Sequence, residues 1–269
     1  MRIVFFGNNR VGLETLRYLT ERGDEIVGLV VHAPERARFR DEIMSVSGLP
    51  ANRVWEAKAL REPEVAEAIG GLNAEIGVSA FFGHILRSDI LELFPAGMIN
   101  LHPAYLPYNR GAYTNVWSIV DGTPAGATLH YIDTGVDTGD VIARSRIQTS
   151  PTDTGGSLYD KLENACIELF KETWPQVATG DVPRIAQSGP DFSEYDGEGT
   201  AHRMKDVDAI DEIDLDASYK ARDLINILRA RTFPPYSGAY FTENDTRVYL
   251  RLQLLTEDEL ADDGEGTEL

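Results

Sequence analysis

Short apolar runs alternate with helical patterns through the N-terminal part of this 269-residue chain. That alternation restricts the fold more than any other feature. RIVFF (Arg2 to Phe6), EIVGLVV (Glu25 to Val31) and EIGVSAFF (Glu75 to Phe82) are nearly continuous apolar runs. Strands covered on both faces of a parallel sheet read this way. Between them, VGLETLRYLTER (Val11 to Arg22) sets Val11, Leu13, Leu16 and Leu19 on one helical stripe. EPEVAEAIGGL (Glu62 to Leu72) reads as a helix with a glycine stop, and SDILELFP (Ser88 to Pro95) as a short helix with Ser88 as N-cap. Strand and helix in alternation predict an α/β fold with a Rossmann-like, mainly parallel sheet.

A long amphipathic helix is expected over Asp153 to Gly180, a polar linker over Gln187 to Ser218 and another helix over Asp216 to Ala230. RTFPPYSGAYF (Arg231 to Phe241) reads as a turn and TRVYLRLQLL (Thr246 to Leu255) as one further strand. The expected division is residues 1–185 as the main domain and 186–257 as a short C-terminal region with a helix and a hairpin-like segment. Residues 258–269 form an acidic, solvated or disordered tail. No run approaches ~18 apolar residues, so no membrane helix is expected. MRIVFFG is too short for a signal peptide core. Cys166 is the single cysteine and reads as a packing residue. These features predict a cytoplasmic protein.

Acidic residues outnumber basic ones 44 to 25, for a net charge of −19, and the lysines are only Lys58, Lys161, Lys171, Lys205 and Lys220. This balance predicts a halophilic protein, kept soluble at high salt by its charge. It also disfavours binding to a nucleic acid, which relies on Lys and Arg reaching phosphates.

The chemistry is concentrated in two segments, GMINLHPAYLPYNRG (Gly97 to Gly111) and HYIDTGVDTGDVI (His130 to Ile142). On a strand, Asn100 and His102 point to one side. Pro103 cannot extend a ladder, so His102 stands at the strand end, where open α/β sheets bind ligands. An amide donor, an imidazole and a carboxylate can together move an acyl group to an amine. Read singly, each of these residues is a turn former or a satisfied polar contact. The chain carries no His-Glu-x-x-His or Cys-x-x-Cys pattern, which disfavours metal catalysis, and no Gly-x-Ser-x-Gly elbow. The first loop, Gly7 to Gly12, matches neither Gly-x-Gly-x-x-Gly nor a P-loop, although a strand-to-helix turn still offers backbone N–H groups.

Asn-x-His-Pro, then Leu-Pro-x-x-Arg-Gly, then Asp-x-Gly-x-Asp-x-Gly-Asp resembles the 10-formyltetrahydrofolate-dependent formyltransferases. The likeness runs over roughly Met1 to Phe241. The resemblance implies Asn100, His102 and Asp137 as the catalytic trio. Asp121, Asp133 and Asp140 lie nearby, but Asp137 precedes Thr-Gly and follows His130 by seven residues, as in the family pattern. It implies that Phe82, Gly83, Ile85 and Leu86 bind the folate, with Asp133, Gly135 and Asp140 closing the other side. His84 reads as exposed and His130 as a supporting residue. Asn8, Asn9, Arg10, Tyr105, Arg110, Tyr113, Asn115 and Trp117 are the implied acceptor contacts. In the implied reaction, Asn100 and His102 stabilise the charged oxygen while Asp137 orients His102 and relays the proton. The cosubstrate is 10-formyltetrahydrofolate, and no metal is needed.

The C-terminal third bears on the acceptor. Transfer-RNA formyltransferases normally carry a complete β-barrel there, and the residues after the long helix leave no room for one. Leu228 to Phe241 instead resembles the short C-terminal region of sugar formyltransferases. The expectation is an N-formyltransferase acting on a nucleotide-linked amino sugar, as a homodimer. The alternatives are a methionyl-tRNA formyltransferase and, from another class, a non-catalytic folate-binding module. Glycinamide ribonucleotide formylation is disfavoured, because that family normally lacks the tail. ERARFR (Glu35 to Arg40) is either a diphosphate contact or a solvated helix face.

Overall fold

The computed structural model describes residues 1–189, 192 and 199–264. The main sheet uses β1 (Arg2–Gly7), β2 (Glu25–Val31), β3 (Val54–Glu56), β4 (Ile76–Ala80) and β5 (Met98–His102). A two-residue strand β6 (Arg110–Gly111) follows, then β7 (Gly126–Tyr131) and β8 (Val141–Arg146). The seven-stranded order is β3-β2-β1-β4-β5-β7-β8. The first five pair in parallel, while β7 runs antiparallel to β5 and β8 antiparallel to β7.

The parallel strands are buried on both faces, as their continuous apolar runs predict. Ile3 and Phe5 join the core under α1 (Asn9–Glu21) and α6 (Gly155–Val177), with Leu16, Phe170 and Trp174. Val4 and Phe6 point the other way, to Ile69, Phe82 and Phe94. This alternation is the period of two inherent in a strand. Between β2 and β4 lie α2 (Arg40–Ser47), β3 and α3 (Pro63–Gly70). Proline opens α3 at a position where no N–H is needed. Helix α4 (Ser88–Leu91) precedes β5, and α5 (Thr114–Val120) follows β6.

Several boundaries differ from expectation. Ser88 is not the cap of α4; Arg87 holds that place. After α6, the linker carries β9 (Ala201–His202) and α7 (Asp208–Asp211), whereas residues 190–191 and 193–198 of it lie outside the described residues. Helix α8 (Ala221–Ala230) starts later than Asp216, because Asp214 takes the Asp216 N–H in a local turn at 2.9 Å. The final strand is shorter than expected and belongs to a hairpin, β10 (Tyr240–Glu243) with β11 (Thr246–Tyr249). Its turn residues Asn244 and Asp245 both have positive φ, the tight hairpin geometry. The acidic tail is helical over α9 (Glu257–Gly264). Thr256 and Glu259 cap it reciprocally. Residues 265–269 lie outside the described residues. Among the described residues, no helix is long and apolar enough to cross a membrane.

Candidate active site

Asn100 and His102 alternate with the core residues Ile99 and Leu101 on β5, so both polar side chains leave the same face. The neighbouring strand fixes the Asn100 amide. Ser79 on β4 lies in register with Asn100 and donates from Oγ to Asn100 Oδ1 at 2.8 Å. Asn100 Nδ2 then points to His130 Nε2 at 3.3 Å. His130 Nδ1 donates to its neighbour's carbonyl, Tyr131 O, at 2.7 Å, which leaves Nε2 as the accepting nitrogen. An amide carries two N–H groups, and the second on Asn100 has no protein partner among the described residues.

His102 is buried. Its Nε2–H donates to the Asn109 carbonyl at 3.1 Å, so the Nδ1 lone pair faces Asp137 Oδ2 at 3.6 Å. Asp137 sits in the β7–β8 loop with φ 53°, in the left-handed region. The Gly111 N–H donates to Asp137 Oδ2 at 2.8 Å, and His130 Nε2 stands 3.5 Å from Oδ1. Gln187 ties the loop from outside, donating to Asp137 O at 2.8 Å and Gly139 O at 2.9 Å.

Burial disfavours charge on His102 and lowers its pKa below the usual imidazole value, although Asp137 pulls the other way. Burial would raise Asp137, but the charge of a protonated His102 and the Gly111 N–H outweigh it and hold the carboxyl below the usual range. The two shifts pull on one contact, because the His102 contribution requires a charged imidazole that burial resists. The resting pair near neutral pH is therefore a carboxylate beside a neutral imidazole.

On the expected folate side, the loop after β4 divides into anchors and exposed positions. Phe82 and Leu86 are buried, and Phe82 stacks edge-on against Phe6 at 5.5 Å. They belong to the core rather than to a binding wall. Gly83 has φ 65° and open space where a side chain would stand, and Ile85 is 81% exposed. His84 is exposed as expected and packs on His32 at 4.7 Å. Asp133 accepts from the Thr138 hydroxyl and the Gly135 N–H, so it shapes its own loop. The Asp140 carbonyl accepts the Tyr131 N–H.

The expected acceptor contacts separate in the same way. Asn9 is buried and bonds Tyr159 and Glu163 of α6, and Arg10 pairs with Glu163 at 2.8 Å. These contacts tie α1 to α6, and the Arg10 side chain stays partly exposed. Asn8 Oδ1 holds the Arg38 N–H at 2.8 Å. Asn115 is buried and donates to Gly155 O at 2.8 Å, and Trp117 is buried and stacked on His202 at 4.0 Å. Both are scaffold, because their burial leaves no surface for a sugar. Tyr105 lies under Arg144 at 4.5 Å, and Arg110 bonds Gln187 at 2.8 Å. Tyr113 is exposed, with Arg231 6.0 Å from its ring. In the ERARFR segment, Arg38 lies over the Tyr236 ring at 5.4 Å and Arg40 pairs with Glu56 at 3.6 Å. Sequence reasoning did not single out Ser79, Asn109, Gln187 or Thr200. Ser79 left one signal, a polar residue within an otherwise apolar strand; the others left none.

A family model described as formyl transferase matches residues 1–173. The methionyl-tRNA formyltransferase of Symbiobacterium thermophilum is 34% identical over 250 residues, covering 89% of this chain and 72% of that protein. This chain belongs to the formyltransferase family. It is an enzyme that transfers formyl groups, and the family's donor is 10-formyltetrahydrofolate. The Clostridioides difficile methionyl-tRNA formyltransferase is 32% identical over 252 residues, covering 91% of this formyltransferase and 77% of that protein. A second model, described as N-formyltransferase dimerization C-terminal domain, matches residues 206–257. Among solved structures, a 4-N formyltransferase from Francisella tularensis is 25% identical with a TM-score of 0.78, covering 95% of this chain and 98% of that one. A sugar N-formyltransferase from Shewanella is 20% identical at TM-score 0.80, with the same coverage, and shares the fold.

Proposed function

We propose that this formyltransferase moves the formyl group of 10-formyltetrahydrofolate to the amine of a nucleotide-linked amino sugar. One observation carries the choice of acceptor: a formyltransferase from Anoxybacillus kamchatkensis, 27% identical at TM-score 0.54 over 78% of this chain and 89% of that one, is solved in complex with UDP-4,6-dideoxy-4-formamido-L-AltNAc and tetrahydrofolate. The C-terminal match at residues 206–257 agrees with it and supports a homodimer. A second reading, methionyl-tRNA as acceptor, is favoured by the 34% identity to the Symbiobacterium enzyme.

Gly83 to Ile85 would receive the folate. A pterin edge needs backbone donors and acceptors beside an apolar wall, and this loop leaves its backbone open next to an exposed isoleucine. The donor supplies an activated formyl carbon. In the transfer, a carbon–nitrogen bond forms to the acceptor amine and the one to the folate nitrogen breaks. One proton passes from the amine to the departing nitrogen.

The protein side follows from the hydrogen bonds. The second Asn100 N–H is the donor for the oxygen that gathers charge, held in place by Ser79 and His130. His102 acts as the base. Its Nε2–H is already satisfied by Asn109, so the arriving proton goes to Nδ1, where Asp137 stands 3.6 Å away. The imidazolium then has a partner at each nitrogen, and Asp137 stabilises it without taking the proton.

Calorimetry with UDP- and dTDP-linked amino sugars, and with initiator methionyl-tRNA, tests the acceptor class. Saturable binding of a sugar nucleotide is expected. Binding of the tRNA alone would overturn the proposal in favour of the second reading.

A further inference from the structure

The three residues Asn109 to Gly111 reach both titrating groups of the site, one from each end. The Asn109 carbonyl receives His102 Nε2–H at 3.1 Å, and the Gly111 N–H reaches Asp137 Oδ2 at 2.8 Å. Both are backbone contacts. The shape of this arch, not its side-chain chemistry, therefore sets how imidazole and carboxylate meet. Its backbone takes positive φ, 58° at Asn109 and 91° at Gly111. Asparagine tolerates that region better than most residues, and what selects it here is the set of contacts around Asn109.

The surroundings come from a distant part of the chain. The Asn109 N–H donates to Thr200 Oγ1 at 2.8 Å, and the same hydroxyl donates to Asn109 Oδ1 at 3.1 Å. One side chain thus fixes both the backbone and the side chain of Asn109. The Asn109 amide donates onward to Ser118 Oγ at 2.9 Å and Thr123 Oγ1 at 2.8 Å. Strand β9 pairs in parallel with β6, with Arg110 N–H to Thr200 O and Ala112 N–H to His202 O, both 2.9 Å. A side chain at Gly111 would strike the His202 carbonyl. His202 is itself pinned, stacked flat on Trp117 at 4.0 Å and bonded to Asp121 Oδ2 at 2.8 Å.

We infer that Gly199 to His202 is a strap that positions the catalytic pair, with Thr200 and Asn109 as positioning residues that hold His102 as its Nε2–H tautomer and turn Nδ1 to Asp137. The inference rests on reading His102 and Asp137 as the reacting pair. It adds a role for residues that contact neither of them through a side chain.

Thr200→Val keeps the shape and removes the hydroxyl; Thr200→Ser keeps the hydroxyl. Two measurements on the full chain are made: steady-state formyl transfer from 10-formyltetrahydrofolate, and 15N NMR of the His102 imidazole, which needs no acceptor. In Thr200→Val, kcat should fall about tenfold or more while the KM for the donor stays within about twofold. The His102 ring should change from the single Nε2–H tautomer to a mixture. The acid limb of the rate profile should move to lower pH, because the Asn109 carbonyl favours the charged imidazole. Thr200→Ser should restore all three. Should the valine variant not fold, Thr200→Ala carries the same expectation. A wild-type tautomer together with wild-type kcat in the hydroxyl-free variant would overturn the strap, as would a loss that serine does not restore. If no acceptor is turned over by the wild-type enzyme, the acceptor proposal fails while the NMR result still judges the strap.

Discussion

At the scale of the residue, the roles proposed for Asn100, His102 and Asp137 divide by environment. Asn100→Ala removes one preorganised donor and should lower kcat by about 10²–10³ with little change in donor KM. Steady-state kinetics check it; an unchanged kcat would remove Asn100 from the mechanism. His102 must be neutral to act as a base, and burial lowers its pKa below the ordinary 6.5. The wild-type rate should therefore persist below pH 6.5 before falling. Asp137 opposes that lowering, so Asp137→Asn should move the limb to still lower pH and reduce kcat. A limb that stays put or moves upward would contradict the pairing. The stability sign is the same: between the lowered folded value and 6.5 the unfolded chain binds more protons, so stability falls as pH drops through that window. The shared face of Asn100 and His102 was legible from the strand period, whereas Asp137 came from the family resemblance. The partners were not. Asn109 and Thr200 meet across 91 positions, and nothing local in either segment marks the contact.

At the scale of the element, the buried parallel strands were legible because two covered faces demand continuous apolar runs. What stayed hidden depended on polar side chains competing for backbone. Asp214 delays α8, and the Thr256–Glu259 box makes a helix of residues whose composition reads as a solvated tail. The expected contacts Asn9, Asn115 and Trp117 are buried, and their partners were hidden for a related reason. Asn9 and Asn115 bond into α6 and Trp117 stacks on His202, contacts between segments far apart in the chain. Helix α6 packs into the core through Phe170 and Trp174, and Thr154 with Ser157 forms a reciprocal cap at its start. Thr154→Ala should cost about 1 kcal/mol of stability, read by denaturant unfolding, without altering KM. No loss would mean that tertiary packing alone holds that end.

At the scale of the whole molecule, a net charge of −19 sets the behaviour in salt. Like charges repel across a compact surface, and the screening length falls from about 10 Å at 0.1 M to about 3 Å at 1 M. The melting temperature should rise between these two salts, and a fall would show that specific ion pairs outweigh the overall repulsion. The exposed side chains Val248 and Tyr249 stand on β11, inside the segment matched to a dimerization domain. Sedimentation should give a dimer, and a monomer at all concentrations would remove that assignment. The account is tested most directly by following a 13C-labelled formyl group from 10-formyltetrahydrofolate with nucleotide-linked 3-amino and 4-amino sugars and initiator methionyl-tRNA as competing acceptors. The account predicts label on the amine of one sugar nucleotide. Label on methionyl-tRNA alone would contradict it.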